Sequence, residues 1–209
     1  MSKKVHIPIY IDGPFGTSTR EIFDAEHAVL IGGGVGITPY ASILQSIMFR
    51  YLTMKRTCVK CEHVWYEDIP RELMKVKKVD FIWVNRDQKS FEWFVSLLAQ
   101  LEMLQTEPGS LGRILDVHLY MTGAKSAADL RGLSLQIALE TMQMRRRNTI
   151  RGLKTYVQPG RPDWDEIFQG FEAQNIGNVK VFACGPSALM SAITLSCKRY
   201  HFDFCKEHF

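Results

Sequence analysis

The chain has 209 residues, 46% hydrophobic and 23% charged, with a formal net charge of +4, a composition ordinary for a soluble globular protein with a substantial core. Its longest apolar runs are strand length and far too short to span a membrane. Basic residues are scattered apart from Lys75, Lys77, Lys78 and the run Arg145 to Arg147, so nucleic acid is not indicated, while an anionic small molecule or a membrane surface stays compatible.

Five cysteines without a signal-peptide pattern argue for reduced thiols. In chain order, residues 5–11 read as a strand ending in Asp12-Gly13-Pro14-Phe15-Gly16-Thr17. That strand is either the end of an upstream domain or an ordinary edge strand of this one. Residues 27–31 read as a buried strand that runs into Gly32-Gly33-Gly34-Val35-Gly36-Ile37 and then into a helix over 38–53, opened by Thr38 and Pro39. Glycines let the backbone approach an anion closely, and a helix start offers unpaired N–H groups at the positive end of its dipole. Pro39 suits that first turn because the N–H it lacks would have had no partner there. The spacing is a near miss to the dinucleotide fingerprint, which would need glycine at Ile37, and no Gly-Lys-Ser/Thr follows to make a P-loop. The turn therefore either holds a phosphate-bearing ligand or serves only close packing.

Residues 54–78 are too long for an ordinary loop and read as an insertion. Within it Cys58 and Cys61, with His63 nearby, have the spacing of half a zinc site that nothing completes, and read otherwise as a redox-sensitive pair or plain insertion. A strand over 79–84 leads to Asn85-Arg86-Asp87, where an acidic residue would bond ribose hydroxyls and an arginine would accept a 2′-phosphate. Arg86 thus points to NADPH, against the alternative of a surface ion pair. A helix over 89–105 and a strand over 114–121 follow.

A second insertion, 123–152, carries a helix over 128–147 with Leu130, Leu133, Ile137 and Met142 near one face and three arginines at its end. Such a helix either inserts into a calmodulin-like groove or packs on this domain with its cationic end matching the dipole. In Pro159-Gly160-Arg161-Pro162-Asp163-Trp164 the prolines stiffen the loop, Asp163 can cap a helix over 163–173, and Arg161 is a second candidate cation for the 2′-phosphate or simply a solvated charge. A strand over 179–183, the turn Cys184-Gly185-Pro186 and a helix over 186–199 complete the alternation. Cys184 either lies against a nicotinamide ring or is a buried inert thiol. Strands alternating with helices imply an α/β fold, a parallel sheet flanked by helices, with ligands at the carboxyl ends of the strands.

Taken together, Asp12-Gly-Pro-Phe-Gly16, Gly32 to Pro39, Arg86, Phe91-Glu-Trp-Phe94, Gly160-Arg-Pro-Asp-Trp164 and Cys184-Gly-Pro186 resemble the ferredoxin-NADP reductase superfamily. More narrowly they resemble the NADPH-binding part of the dehydrogenase region of NADPH oxidases, and Ser42 to Ile47, Thr57 to Cys61 and Asn85 to Gln88 are most similar to the calcium-activated, EF-hand-bearing class.

The resemblance implies that residues 1–26 are the end of an FAD-binding barrel and linker, and 27–209 the NADPH-binding domain with the two insertions. It implies hydride transfer from NADPH to FAD, then electron flow through haems to oxygen to make superoxide, at the cytosolic face of a membrane. FAD is held mainly by an upstream domain and haem belongs to the full-length protein only, so this stretch is soluble and inactive alone. Gly34, Val35, Gly36, Thr38 and Pro39 would line the pyrophosphate and nicotinamide side, and Arg86 and Arg161 would take the 2′-phosphate. Cys184, Gly185 and Pro186 would face the nicotinamide, and terminal Phe209 would stack on the flavin. Pro14 and Gly16 resemble the flavin-side boundary. No metal is implied.

Gly33 stands where many relatives carry alanine, which is expected to loosen the turn slightly. Implied partners are the FAD-binding domain of the same protein, the EF-hand domain and calmodulin. A rival reading makes the chain chiefly a docking module for such calcium sensors through residues 128–151, and a third makes it part of a soluble flavoenzyme.

Overall fold

The computed structural model describes residues 18–68, 70, 74–86, 94, 97–98, 100–101, 105, 114–123 and 156–207. Its centre is a six-stranded sheet, all parallel, built from β1 (His27–Gly33), β4 (Lys78–Asn85), β5 (Leu115–Met121), β6 (Tyr156–Pro159), β7 (Val179–Cys184) and β8 (Asp203–Lys206). The order across the sheet is β6-β5-β4-β1-β7-β8. From β1 the chain steps one way through β4, β5 and β6, then returns past β1 to lay down β7 and β8. The point where the direction reverses is therefore the boundary between β1 and β7.

All seven residues of β1 are buried, as expected of a central parallel strand covered on both faces. Ala28 and Leu30 point to one core with Tyr40, Ile43, Leu44 and Ile47 of α1 (Thr38–Thr53) and with Phe94, Leu98 and Leu101. Val29 and Ile31 point to the other, against Phe168 and Phe171 of α2 (Trp164–Gln174) and Met190 and Ile193 of α3 (Ser187–Tyr200). The period of two in the strand thus feeds two helical layers. Among the described residues no helix is long and apolar enough to cross a membrane.

The expected alternation is present, with three additions. The 54–78 insertion contains a small antiparallel hairpin of β2 (Lys55–Thr57) and β3 (Val64–Tyr66). β6 and β8, neither expected from the sequence, form the two edges of the sheet. The expected strand over 5–11 and helix over 128–147 lie outside the described residues.

The lower half of the sheet holds a buried polar ladder. His27 Nε2 lies 2.7 Å from one Asp80 oxygen and His118 Nε2 lies 2.9 Å from the other, across three adjacent strands. Burial pushes the Asp80 carboxyl up, but the hydrogen bonds from His118 and His27 outweigh it and bring the pKa down to about 2. Lys78 pairs with Asp116 beside it.

Candidate functional site

The glycine turn leaves β1 through a single turn of 3-10 helix over Gly34–Ile37 before α1 begins at Thr38 with Pro39 in its first turn. Gly34 takes φ +59° with nothing within 4 Å of where a Cβ would stand, so it faces open space in a conformation that glycine adopts without strain. The Trp83 indole on β4 donates to the Gly34 carbonyl at 3.1 Å, and the Thr38 hydroxyl donates to the Val35 carbonyl at 2.8 Å. Val35 itself is 81% exposed, an apolar side chain held out at the carboxyl end of the sheet. No side chain caps the 3-10 turn at Gly33 or α1 behind it; the Thr38 amide donates to the Val35 carbonyl and Pro39 has no N–H, so the donors left for a ligand are those at the start of the glycine turn itself.

The second turn, after β7, presses against the first. A Cβ on Gly36 would lie 2.6 Å from the Cys184 carbonyl oxygen and 3.3 Å from its Sγ, and one on Gly33 would lie 2.8 Å from Pro186 Cδ and 2.7 Å from Leu189 Cδ2. Gly33 has extended backbone, φ −105° and ψ 120°, so its missing side chain serves this close approach; the expected loosening gives way to tight packing between turns. α3, like α1, has no side-chain cap. α2 does: Asp163 accepts from the amides of Asp165 at 3.0 Å and Glu166 at 3.2 Å. Among the described α-helices, the two without side-chain caps are thus the two that start at the β1/β7 boundary.

Beneath the turns, burial raises the pKa of two groups. Burial, and secondarily Glu207, push the Cys184 thiol up, and burial drives the Tyr40 hydroxyl far above its ordinary value. Cys184 is 2% exposed, within the core. It packs under Gly36, where a Cβ would lie 3.3 Å from its Sγ.

The cations come from the other arm of the sheet. Arg86 follows β4, its amide donating to Asn85 Oδ1 at 2.7 Å, and its carbonyl would lie 2.4 Å from a Cβ on Gly123. Arg161 follows β6, where the Gly160 amide donates to the Met121 carbonyl at 2.9 Å and Gly160 takes φ +87° facing open space. β5 alone stands between β4 and β6, so the two arginines leave strand ends roughly 10 Å apart. Arg161 and Trp164 also line an open groove of roughly 460 Å³ against α3.

The structure thus brings Gly34, Val35, Gly36, Thr38, Pro39, Cys184, Gly185 and Pro186 to one boundary and sets Arg86 and Arg161 along the same edge. Phe209, Pro14, Gly16 and residues 128–151 lie outside the described residues. Trp83 was missed: nothing in the strand Phe81-Ile82-Trp83-Val84 marks it as the anchor of the turn. Its one sequence signal is that a buried indole N–H needs an acceptor.

Residues 25–198 match the ferric reductase NAD-binding domain family. The chain is similar to NADPH oxidase 5 of Homo sapiens, at 51% identity over 99% of this chain and 27% of that protein. It is also similar to a superoxide-generating NADPH oxidase heavy chain of Dictyostelium discoideum, at 35% identity over 95% of this chain and 35% of that protein. Dual oxidase 1 of Homo sapiens is 30% identical over 96% of this chain and 12% of its own length. The chain therefore spans about a third or less of each of these relatives.

Proposed function

Because this chain belongs to the ferric reductase NAD-binding domain family, we propose that it is the NADPH-binding domain of a membrane NADPH oxidase, acting at the cytosolic face. When bound, NADPH supplies a hydride to FAD, held mainly by another domain of the same protein, and electrons then pass through haems to oxygen to make superoxide.

The observation that carries this reading is the pair of starts without side-chain caps, the 3-10 turn that leads into α1 and the first turn of α3, meeting across Gly33, Gly36 and Gly185 at the topological switch point. Nucleotide phosphates bind at such a place, where two sets of free N–H groups and two dipoles point at one volume. Gly34, Val35, Gly36, Thr38 and Pro39 hold the pyrophosphate and the ribose beside it. Val35 and the backbone of Gly185 and Pro186 give the nicotinamide an apolar wall, and Cys184 fixes the height of that wall from beneath. Arg86 and Arg161 clamp the 2′-phosphate, which separates NADPH from NADH by charge-assisted hydrogen bonds. Phe209 covers the flavin side in this reading.

The basic segment 128–151 is read as a docking site for an EF-hand domain or calmodulin, which its amphipathic pattern permits and the resemblance to calcium-activated oxidases favours. Charge reversal at Arg145 to Arg147 tests that role separately, since it should abolish sensor binding and leave NADPH binding intact. The first test of the nucleotide reading is calorimetric titration of the chain with NADPH and with NADH. NADPH should bind at least tenfold tighter, and Arg86→Ala should remove most of that difference. Equal affinity for both nucleotides, or binding of neither, would overturn it.

A further inference from the structure

The tip of the β2–β3 hairpin carries two thiols that the nucleotide site does not use. The Cys58 amide donates to the His63 carbonyl at 2.8 Å and the Glu62 amide donates to the Cys58 carbonyl at 3.0 Å, closing residues 58–62 into one helical turn. Glu62 holds φ +57°, a left-handed conformation seldom taken by a residue with a side chain, and it fixes the exit of that turn. The His63 ring stacks on Trp65 with centroids 6.2 Å apart, tying the turn to β3. Residues three apart on such a turn have Cβ atoms about 5–6 Å apart. A disulfide needs about 3.5–4.5 Å, so a small tightening of an exposed turn suffices.

The surroundings of the two sulfurs differ from those of the other cysteines. The Cys61 amide, the Lys60 amide and the Cys61 thiol all donate to the Cys58 sulfur, and together they lower its pKa. Cys61 is exposed and Cys58 half-buried. By contrast, burial pushes Cys197 up to about 12 and raises Cys184 and Cys205. Among the described residues no group of three or more metal-ligating side chains gathers.

We propose that Cys58 and Cys61 form a reversible dithiol–disulfide pair whose oxidant is a hydroperoxide. The Cys58 thiolate attacks the outer peroxide oxygen, the O–O bond breaks, and the leaving oxygen takes a proton as water or alcohol. Cys58 is then a sulfenic acid. The Cys61 sulfur attacks it, the S–O bond breaks, and hydroxide leaves with the Cys61 proton as water. Two thiols have lost two electrons and two protons, the peroxide has gained them, and a dithiol reductant reverses the change. The pair sits on the hairpin, away from the switch point, so the proposal stands apart from the nucleotide reading.

The test uses the purified reduced chain at neutral pH with one equivalent of hydrogen peroxide. The intact mass should fall by about 2 Da, the loss of two hydrogen atoms. Alkylation mapping should show Cys58 and Cys61 protected together and Cys184, Cys197 and Cys205 still free. In Cys61→Ser, Cys58 should stop at the sulfenic acid and be trapped by dimedone, and Cys58→Ser should slow oxidation at least tenfold. A first oxidation that maps to Cys184, Cys197 or Cys205, or that yields a covalent dimer, would overturn the proposal. So would protection of both thiols from peroxide by one equivalent of zinc.

Discussion

A single methyl group at Gly36 would meet backbone, since its Cβ falls 2.6 Å from the Cys184 carbonyl oxygen and 2.9 Å from the carbonyl carbon. Neither can rotate away, so Gly36→Ala should force the β1 and β7 turns apart and cost about 1–3 kcal/mol in urea unfolding, the range of an overpacked core. It should weaken NADPH binding with it, and a variant within 0.5 kcal/mol of wild type would show that the two turns are not in contact (roughly the surface-substitution range of). A second residue-scale effect follows from Asp80, whose pKa is brought from 3.8 to about 2. A folded pKa below the unfolded one contributes stability that is complete above about pH 4 and lost as pH falls toward 2. The stability gap between wild type and Asp80→Asn should therefore narrow by about 2 kcal/mol between pH 5 and pH 2. A gap that stays constant would mean that His27 and His118 do not favour the charged carboxylate. The glycine turn and Cys184-Gly185-Pro186 were legible because their residue types are costly anywhere but a turn. Trp83 was not, because a hydrogen bond from a strand side chain to a carbonyl 49 residues away leaves no local pattern.

At the scale of elements, the described helix starts divide by capping. α2 is closed by Asp163, which accepts two amides, whereas α1 and α3 begin uncapped at the β1/β7 boundary. Asp163→Ala should cost about 1 kcal/mol, the usual value of an N-cap, measured by urea unfolding. Because Arg161 stands two residues before that cap, the same variant should weaken NADPH more than NADH; equal weakening would detach the α2 start from the 2′-phosphate. The long central strands were legible as buried apolar runs. β6 and β8 were not, since each has four residues and lies on an edge, where one neighbour rather than two fixes the pairing. The hairpin strands have three residues each, too few for any period to register.

For the whole molecule, the strand order β6-β5-β4-β1-β7-β8 separates the proposed work along one edge: phosphate and nicotinamide groups at β1 and β7, cations at β4 and β6. The sequence placed the glycine turn, Arg86 and Cys184-Gly185-Pro186 at strand ends and Arg161 in a loop, but carried no information on which ends were neighbours, because order across a sheet is set by long-range packing. That order makes a sharp demand on Arg86 and Arg161. Their strand ends are roughly 10 Å apart with β5 between, a span that two extended guanidinium side chains close only if both turn toward the same point. If they share one 2′-phosphate, each single alanine variant should cost NADPH about 1.5–3 kcal/mol, the worth of a hydrogen bond to a charged group. Because the remaining arginine can recentre on the phosphate, the double variant should then differ from the sum of the singles by about 0.5 kcal/mol or more. NADH, which lacks that phosphate, should bind all four proteins alike. Strict additivity for NADPH would instead assign Arg161 to the groove it lines with Trp164 and α3, leaving Arg86 as the residue that reads the phosphate.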